Sequence, residues 1–258
     1  PAVNIRTDGL DKLLAAYRST LGDSSETIIQ NNTISWKHLR NMLSKLAARE
    51  EEFISIELKK REKFEYRNYD DSTEDEGIMK FNAIPTCHRG LEKFLNPDDP
   101  SWRFKYYDNL FDINIDSVRE KQIATNYLEG LEWTFKYYTT GCPNWRWCYK
   151  YHYPPLLSDL MKHIPYFETT YIEFQPFNPV SQIMQLCYVL PKYNLDLLPG
   201  KLKEALLNEF PEWYGDNFKF HWAFCKYFWE SHAQLPEINL NKLSIFLDKN
   251  KDLLPIAV

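Results

Sequence analysis

Glycine is scarce in this sequence, with 8 residues among 258, where average usage would give roughly 18. No pattern of the type G-x-G-x-x-G or G-x-x-x-x-G-K-[ST] occurs. The sequence therefore offers no glycine-rich loop that would hold a nucleotide phosphate. A chain that is poor in glycine and rich in aromatic residues, here 16% of the total, favours packed helices over a hairpin-dense β-sandwich.

A basic excess is also missing, since the formal net charge is −5. This balance argues against a free-standing, salt-driven nucleic-acid binder, although it is compatible with binding by stacking or beside a more basic partner. No apolar run approaches the ~18 residues of a membrane-spanning helix, so we expect no membrane partner. The odd count of five cysteines, without a secretory segment, predicts reduced thiols and an intracellular location.

Patterns for metal binding and catalysis are absent from the sequence as well. No C-x-x-C pair occurs, and Cys142 with Cys148 lacks a second pair at the spacing of a zinc finger. His221, Cys225 and His232 can be drawn together, but nothing in the sequence specifies a fourth ligand. The acidic residues are predicted on helix faces or in one polar run, not in a converging cluster. We therefore predict no catalytic residue and no metal ligand in this chain.

Helical periodicity dominates the rest of the chain. The patterns predict a mainly α, irregular helical domain over residues 1–258, with a short β-hairpin near residues 217–224 and an acidic, disordered loop at about 68–78. One long helix is predicted after Ser35, because an apolar stripe runs from Trp36 to Ile54. The clearest helix begins at an S-x-x-E capping pattern formed by Ser117 and Glu120, and it ends before Gly141 and Pro143.

One segment departs from ordinary core composition. Residues 141–155, called the aromatic loop below, contain two tryptophans and three tyrosines together with Arg146 and Lys150. The rings can fill a gap between helices, with their polar atoms bonded to backbone. The alternative is that they form a platform on which nucleic-acid bases stack. Composition alone favours the packing interpretation.

The aromatic loop and its surroundings resemble the signature of the Xrn-type 5′→3′ exoribonucleases. The family pattern Y-x-x-G-L-x-W is matched from Tyr127 to Trp133, and the tryptophan-rich loop with Y-H-Y-x-P is matched from Trp145 to Pro155, followed by Ser158 and Asp159. Similar matches occur around Trp102, at residues 176–191 and at residues 217–222. The resemblance covers essentially the whole chain.

The resemblance implies the helical second half of the family's conserved core. Such a part would close the substrate channel of a processive enzyme that degrades 5′-monophosphorylated single-stranded RNA. A tryptophan in the loop would stack on the 5′ nucleotides. Trp145 and Trp147 are both candidates, with Trp145 preferred. The supporting residues are expected to be Arg146, Lys150, Tyr151, His152, Tyr153 and Asp159.

The same resemblance implies that the catalytic apparatus lies elsewhere. The acidic ligands for Mg²⁺ or Mn²⁺ and the pocket for the 5′ phosphate belong to an N-terminal nuclease region, and this chain is expected to start where that region ends. The expected partners are therefore that nuclease region, on the same or a separate polypeptide, and RNA. An alternative is a non-catalytic protein-interaction module derived from an exonuclease.

Overall fold

The structure, a computed structural model, describes residues 8–176 and 178–254. The first seven residues and Phe177, which contribute to the sequence resemblance, lie outside the described residues. Twelve α-helices occur in the described part of the chain. In order they are α1 (Gly9–Leu21), α2 (Trp36–Ala47), α3 (Glu50–Glu65), α4 (Glu74–Asn82), α5 (Ile84–Cys87), α6 (Gly90–Phe94), α7 (Trp102–Phe111), α8 (Ser117–Thr139), α9 (Leu157–His163), α10 (Gln182–Val189), α11 (Leu202–Glu209) and α12 (Leu240–Lys249).

Two short antiparallel strand pairs accompany the helices. Strand β1 (Ile29–Gln30) pairs with β2 (Thr33–Ile34), and strand β3 (Phe220–His221) pairs with β4 (His232–Ala233). The predicted mainly α fold class is confirmed. The stretch 217–224 supplies strand β3, whose partner lies further along the chain than the predicted hairpin.

The chain divides into two compact units, whereas the sequence patterns predict one helical domain over residues 1–258. The first unit contains Pro1–Phe177 and Trp222–Ser231, and the second contains Asn178–His221 and His232–Val258. The division follows from the apolar side chains, because each unit encloses buried clusters of its own.

Helix α8 is central to the first unit because it contributes to two buried clusters. Ile123 packs in a cluster with Tyr106 and Tyr107 of α7, Tyr153 of the aromatic loop and Leu156, which follows that loop. Ala124 and Leu128 lie in a second cluster with side chains of α1, α2 and α9, including Ala16, Trp36, Leu43 and Leu160. Buried residues at i, i+1 and i+5 therefore place helix α8 between two sets of neighbours.

The second unit has a separate core built by α10, α11 and α12. Leu195, Leu202, Leu206 and Leu243 are fully buried in it. The Tyr214 hydroxyl donates a hydrogen bond of 2.5 Å to the Cys187 carbonyl. This bond satisfies a buried polar group inside the apolar cluster.

The long helix predicted after Ser35 is wrong, because the structure contains two helices there. Helix α2 ends at Ala47, Arg49 leaves the helical conformation with φ −121° and ψ 12°, and α3 begins at Glu50. The Glu50 carboxylate is buried and accepts hydrogen bonds from the backbone N–H groups of Leu157 (2.6 Å) and Ser158 (3.0 Å). The break thus lets one helix cap another that is distant in sequence.

The acidic loop predicted at about residues 68–78 is shorter in the structure, because helix α4 begins at Glu74 within it. The Thr73 hydroxyl accepts a hydrogen bond from the backbone N–H of Glu76, and the Glu76 carboxylate accepts one from the backbone N–H of Thr73. Lys80 forms an ion pair with Asp71 across the first two turns. Reciprocal capping of this kind starts a helix despite the run of like charges.

Candidate functional site

The aromatic loop lies along helix α8 and is attached to it by hydrogen bonds. The indole N–H of Trp133 donates to the Asn144 carbonyl at 2.9 Å, and the backbone N–H of Lys150 donates to the Asn126 side chain at 2.9 Å. Within the loop, the Asn144 side chain accepts from the backbone N–H of Arg146 at 2.8 Å. These contacts replace the backbone pairing that a helix or strand would supply.

Trp147 is held on helix α8 by a stack and a hydrogen bond. Its ring stacks on Trp133 with centroids 5.9 Å apart and planes at 23°, and Trp133 in turn stacks on Tyr137 at 5.2 Å. The Trp147 indole N–H donates to Glu129 Oε2 at 3.1 Å. A Cβ atom at Gly130 would stand 2.7 Å from the Trp147 ring, which is too close for any residue except glycine.

Trp145 lies on the outside of the same loop. Half of its surface, 50%, is exposed to solvent, and the neighbouring Arg146 is exposed as well. The structure therefore separates the two candidate tryptophans: Trp147 is partly buried against the helix, and Trp145 offers an aromatic ring to solvent.

The tyrosines of the loop pack against one another and against residues of other segments. Tyr153 is buried, its hydroxyl accepts a hydrogen bond from the backbone N–H of Ala223 at 3.2 Å, and its carbonyl accepts one from the Tyr149 hydroxyl at 2.8 Å. Tyr151 packs against Tyr149 and Phe111 with centroids 5.5 and 5.4 Å apart. Burial raises the pKa of the Tyr149 and Tyr153 phenols, which therefore remain protonated near neutral pH.

The two other residues expected to support the loop from its polar side, Lys150 and His152, are exposed. The backbone N–H of Lys150 takes part in the attachment to helix α8. Lys150 and His152 are thus accessible to solvent, as are Trp145 and Arg146.

Asp159 is buried at the start of α9 and connects helices α7 and α9. It accepts hydrogen bonds from Arg103 Nε at 2.9 Å, from the Tyr107 hydroxyl at 2.8 Å and from Lys162 Nζ at 2.6 Å. Burial acts to raise the pKa of this carboxyl, but the hydrogen bonds from Lys162, Arg103 and Tyr107 outweigh it and lower the pKa. Asp159 is therefore an ionised structural residue of the loop's base.

Several residues that build the site carry no predicted role in the sequence analysis. Asn126, Glu129, Gly130 and Trp133 hold the aromatic loop on α8. Three of these residues lie inside the segment that matches Y-x-x-G-L-x-W, so the sequence motif marks their positions. The motif does not reveal their structural role, because it does not show that its glycine faces a ring from another segment.

Glu50 was also missed, and no local pattern could have revealed it. Glu50 is the first of three consecutive glutamates in an ordinary first helical turn. Burial raises the pKa of the Glu50 carboxyl, since it sits below helix α9 and away from solvent.

The described ranges 8–176 and 178–254 contain no group of three or more His, Cys, Asp or Glu side chains that could hold a metal ion. Within the same ranges, no helix is long and apolar enough to span a membrane.

Comparison with known proteins decides the family. Residues 98–254 match the family described as the Xrn1 helical domain, and this match covers more than half of the chain. The chain belongs to this family. The Xrn resemblance read from the aromatic loop is thereby confirmed, and the matched region contains α7, α8, the aromatic loop and α9.

Similar proteins carry the names of 5′-3′ exoribonucleases. The chain is 34% identical over 149 residues to 5′-3′ exoribonuclease 2 of Schizosaccharomyces pombe, which covers 56% of this chain and 15% of that protein. It is 35% identical over 155 residues to 5′-3′ exoribonuclease 1 of Saccharomyces cerevisiae, covering 54% of this chain and 10% of that protein. It is 28% identical over 177 residues to 5′-3′ exoribonuclease 2 of Gallus gallus, and the aligned part is 67% of this chain and 18% of that protein. This Xrn1 helical domain chain thus spans less than a fifth of the length of these curated relatives.

Proposed function

We propose that this Xrn1 helical domain chain is the substrate-channel part of a processive 5′→3′ exoribonuclease that acts on 5′-monophosphorylated single-stranded RNA. In this role the chain closes the active site and stacks on the 5′ nucleotides through Trp145. Membership of the family and the names of the relatives support the coarse role.

The observation that carries the stacking role is the contrast between the two tryptophans. Trp147 uses its ring and its indole N–H within the protein, whereas half of the Trp145 surface is exposed on a loop that is attached to α8. A ring held in this way loses little freedom when a base stacks on it. Every base has a π-face, so such a platform binds RNA without strong sequence preference.

The remaining parts of the proposed enzyme belong to a nuclease region on the same or a separate polypeptide. That region would supply the carboxylates for Mg²⁺ or Mn²⁺ and the pocket for the 5′ phosphate. It is the main proposed partner of this chain, and RNA is the other.

A non-catalytic interaction module is the second candidate, and one observation favours it. Tyr166 and Phe167 are 66% and 72% exposed beside a cavity of about 320 Å³ that Glu26, His38 and Glu168 also line. Exposed aromatic rings around a cavity are typical of surfaces that bind another protein.

The test of the RNA role compares Trp145→Ala with Trp147→Ala in an assembly that contains the nuclease region. Stacking on one ring contributes about 1–3 kcal/mol, so we expect Trp145→Ala to weaken single-stranded RNA binding about 5- to 150-fold with little change in melting temperature. Trp147→Ala removes a stack and a hydrogen bond and should lower stability, by less than the 3–5 kcal/mol of a fully buried tryptophan.

Trp145→Phe is the matched control, because it keeps an aromatic face at the same position and should retain most of the affinity. Unchanged RNA affinity in both alanine variants, together with a loss of stability, would contradict the stacking role and favour the interaction module.

A further inference from the structure

A second aromatic surface lies in the segment 222–231 of the first unit, far along the chain from the aromatic loop. Tyr227 and Trp229 stack with ring centroids 4.3 Å apart and planes at 15°. Trp229 is 65% exposed. Lys226 is exposed, and its ammonium group lies 4.9 Å from the centroid of the Tyr227 ring. These three residues are called the 226–229 platform.

The platform stands on a buried ionic anchor. Glu92 Oε1 accepts hydrogen bonds from Arg89 at 2.8 Å and pairs with Arg61 at 3.0 Å, while Glu92 Oε2 accepts the backbone N–H of Phe224 at 3.1 Å. Arg61 also donates to the Cys225 carbonyl. All of the charged groups in this anchor are buried, so it holds the segment rigidly at the residues that precede the platform.

The anchor holds the backbone in a conformation that bulky residues avoid. Phe224 has a φ of +60°, in the left-handed region. Such a residue persists only where the surrounding structure determines it, and it is a reason to look for a binding role nearby. The Glu92 carboxylate and the Arg61 guanidinium are the groups that hold it here.

A single turn then sets the spacing of the two stacked rings. The backbone N–H of Glu230 donates to the Tyr227 carbonyl at 3.1 Å, and the Glu230 carboxylate accepts the backbone N–H of Lys226 at 2.8 Å. Phe228 lies between Tyr227 and Trp229 in the sequence but is not part of their stack. Its ring packs on Phe81, with the two ring centroids 4.4 Å apart. The Phe228 ring is thus structural, whereas Trp229 is the exposed ring of the stacked pair and Tyr227 is half-buried beside it.

We propose that the 226–229 platform binds a base of single-stranded RNA on the Trp229 ring, with Lys226 beside the adjoining phosphate. The stacked pair already has the parallel geometry of neighbouring bases, and a third ring can continue it. The ammonium group of Lys226 next to the rings can pair with the phosphate of a nucleotide whose base stacks on Trp229. An aromatic side chain of a protein partner carries no such phosphate. The choice of RNA rests on the proposed function, but the residues differ from those of the aromatic loop.

The experiment measures binding of a short 5′-phosphorylated oligouridylate containing 4-thiouridine to the 258-residue chain. We expect Trp229→Ala to weaken binding about 5- to 150-fold and Trp229→Phe to retain most of the affinity. Tyr66→Ala is the matched control, because Tyr66 is an 83% exposed ring in the same unit and should not matter. Photocrosslinking should attach the RNA to the peptide that contains residues 226–229.

The outcomes separate this platform from the role of Trp145. If Trp145→Ala weakens binding and Trp229→Ala does not, the platform is overturned and the proposed function stands. If only Trp229→Ala weakens binding, the platform stands, and the role of Trp145 is decided separately in the assembly with the nuclease region. Absence of RNA binding, or an equal loss in Tyr66→Ala, overturns the platform. The platform is also overturned if a protein partner, in place of RNA, binds over residues 226–229.

Discussion

At the scale of single residues, Gly130 decides how closely the aromatic loop approaches helix α8. Glycine inside a helix ordinarily costs about 1 kcal/mol relative to alanine. Here the missing side chain leaves room for the Trp147 ring, which then stacks on Trp133 and reaches Glu129. The local cost in helix stability is offset by contacts that only a glycine permits.

Gly130→Ala should therefore destabilise the protein although alanine is the better helix former. The added methyl group would meet the Trp147 ring at 2.7 Å, and overpacking of this kind costs about 1–3 kcal/mol. Chemical denaturation of the variant measures the free energy of unfolding. The displaced loop should also weaken RNA binding in the assembly with the nuclease region.

Gly77→Ala is the matched control for this prediction. Gly77 lies in helix α4, and apart from its chain neighbours and the adjacent helix backbone nothing lies within 4 Å of the position that its Cβ would take. Alanine there should stabilise the protein by about 0.5–1 kcal/mol. Stabilisation by both substitutions would contradict the role of Gly130.

At the scale of elements, the start of helix α8 shows how a tertiary contact overrides a local pattern. The capping pattern predicted from Ser117 and Glu120 is wrong, because Asp116 is the N-cap and accepts hydrogen bonds from the N–H groups of Val118 (2.9 Å) and Arg119 (2.8 Å). Glu120 instead binds side chains from other helices: Arg103, Lys162 at 3.0 Å and His163 at 2.8 Å.

Asp116→Ala should cost about 0.5–2 kcal/mol of stability, because it leaves two N–H groups at the helix start without their acceptor. Ser117→Ala should change stability by less than about 0.5 kcal/mol, since Ser117 already lies in the first turn. Comparing the melting temperatures of the two variants shows which residue caps the helix. A larger loss for Ser117→Ala would restore the capping pattern read from the sequence.

At the scale of the whole molecule, the described residues provide no group of side chains that could hold a catalytic metal ion. Two-metal phosphodiester cleavage needs several carboxylates that converge on one point. Three buried carboxylates of the first unit are engaged otherwise: Asp159 and Glu120 in ion pairs, and Glu50 as a helix cap.

The isolated chain should therefore not degrade 5′-phosphorylated RNA in Mg²⁺ or Mn²⁺. The measurement follows the length of a labelled single-stranded RNA over time. The same chain combined with its nuclease region is the positive control and should shorten the RNA from its 5′ end. Metal-dependent decay by the pure chain, abolished by a chelator, would contradict the proposed division of roles.

Most of the helices could be predicted from the sequence, because their signals are local. Apolar residues at i, i+3 and i+4, with Gly141 and Pro143 at one end, locate helix α8 without knowledge of its neighbours. The break at Arg49 could not be predicted, because the apolar stripe continues through it. It is set by the contact of Glu50 with α9, more than a hundred residues away.

For the candidate site, the sequence by itself determined the family and the loop. Two tryptophans and the Y-H-Y-x-P pattern are properties of a contiguous segment, and they identify an Xrn1 helical domain whatever contacts those residues make. Only the tertiary structure decided which ring is held and which is exposed. Trp145 and Trp147 are two residues apart in a loop without a repeating period, so no pattern distinguishes them. The difference arises from Gly130 and Glu129 on helix α8, which receive one ring and leave the other in solvent.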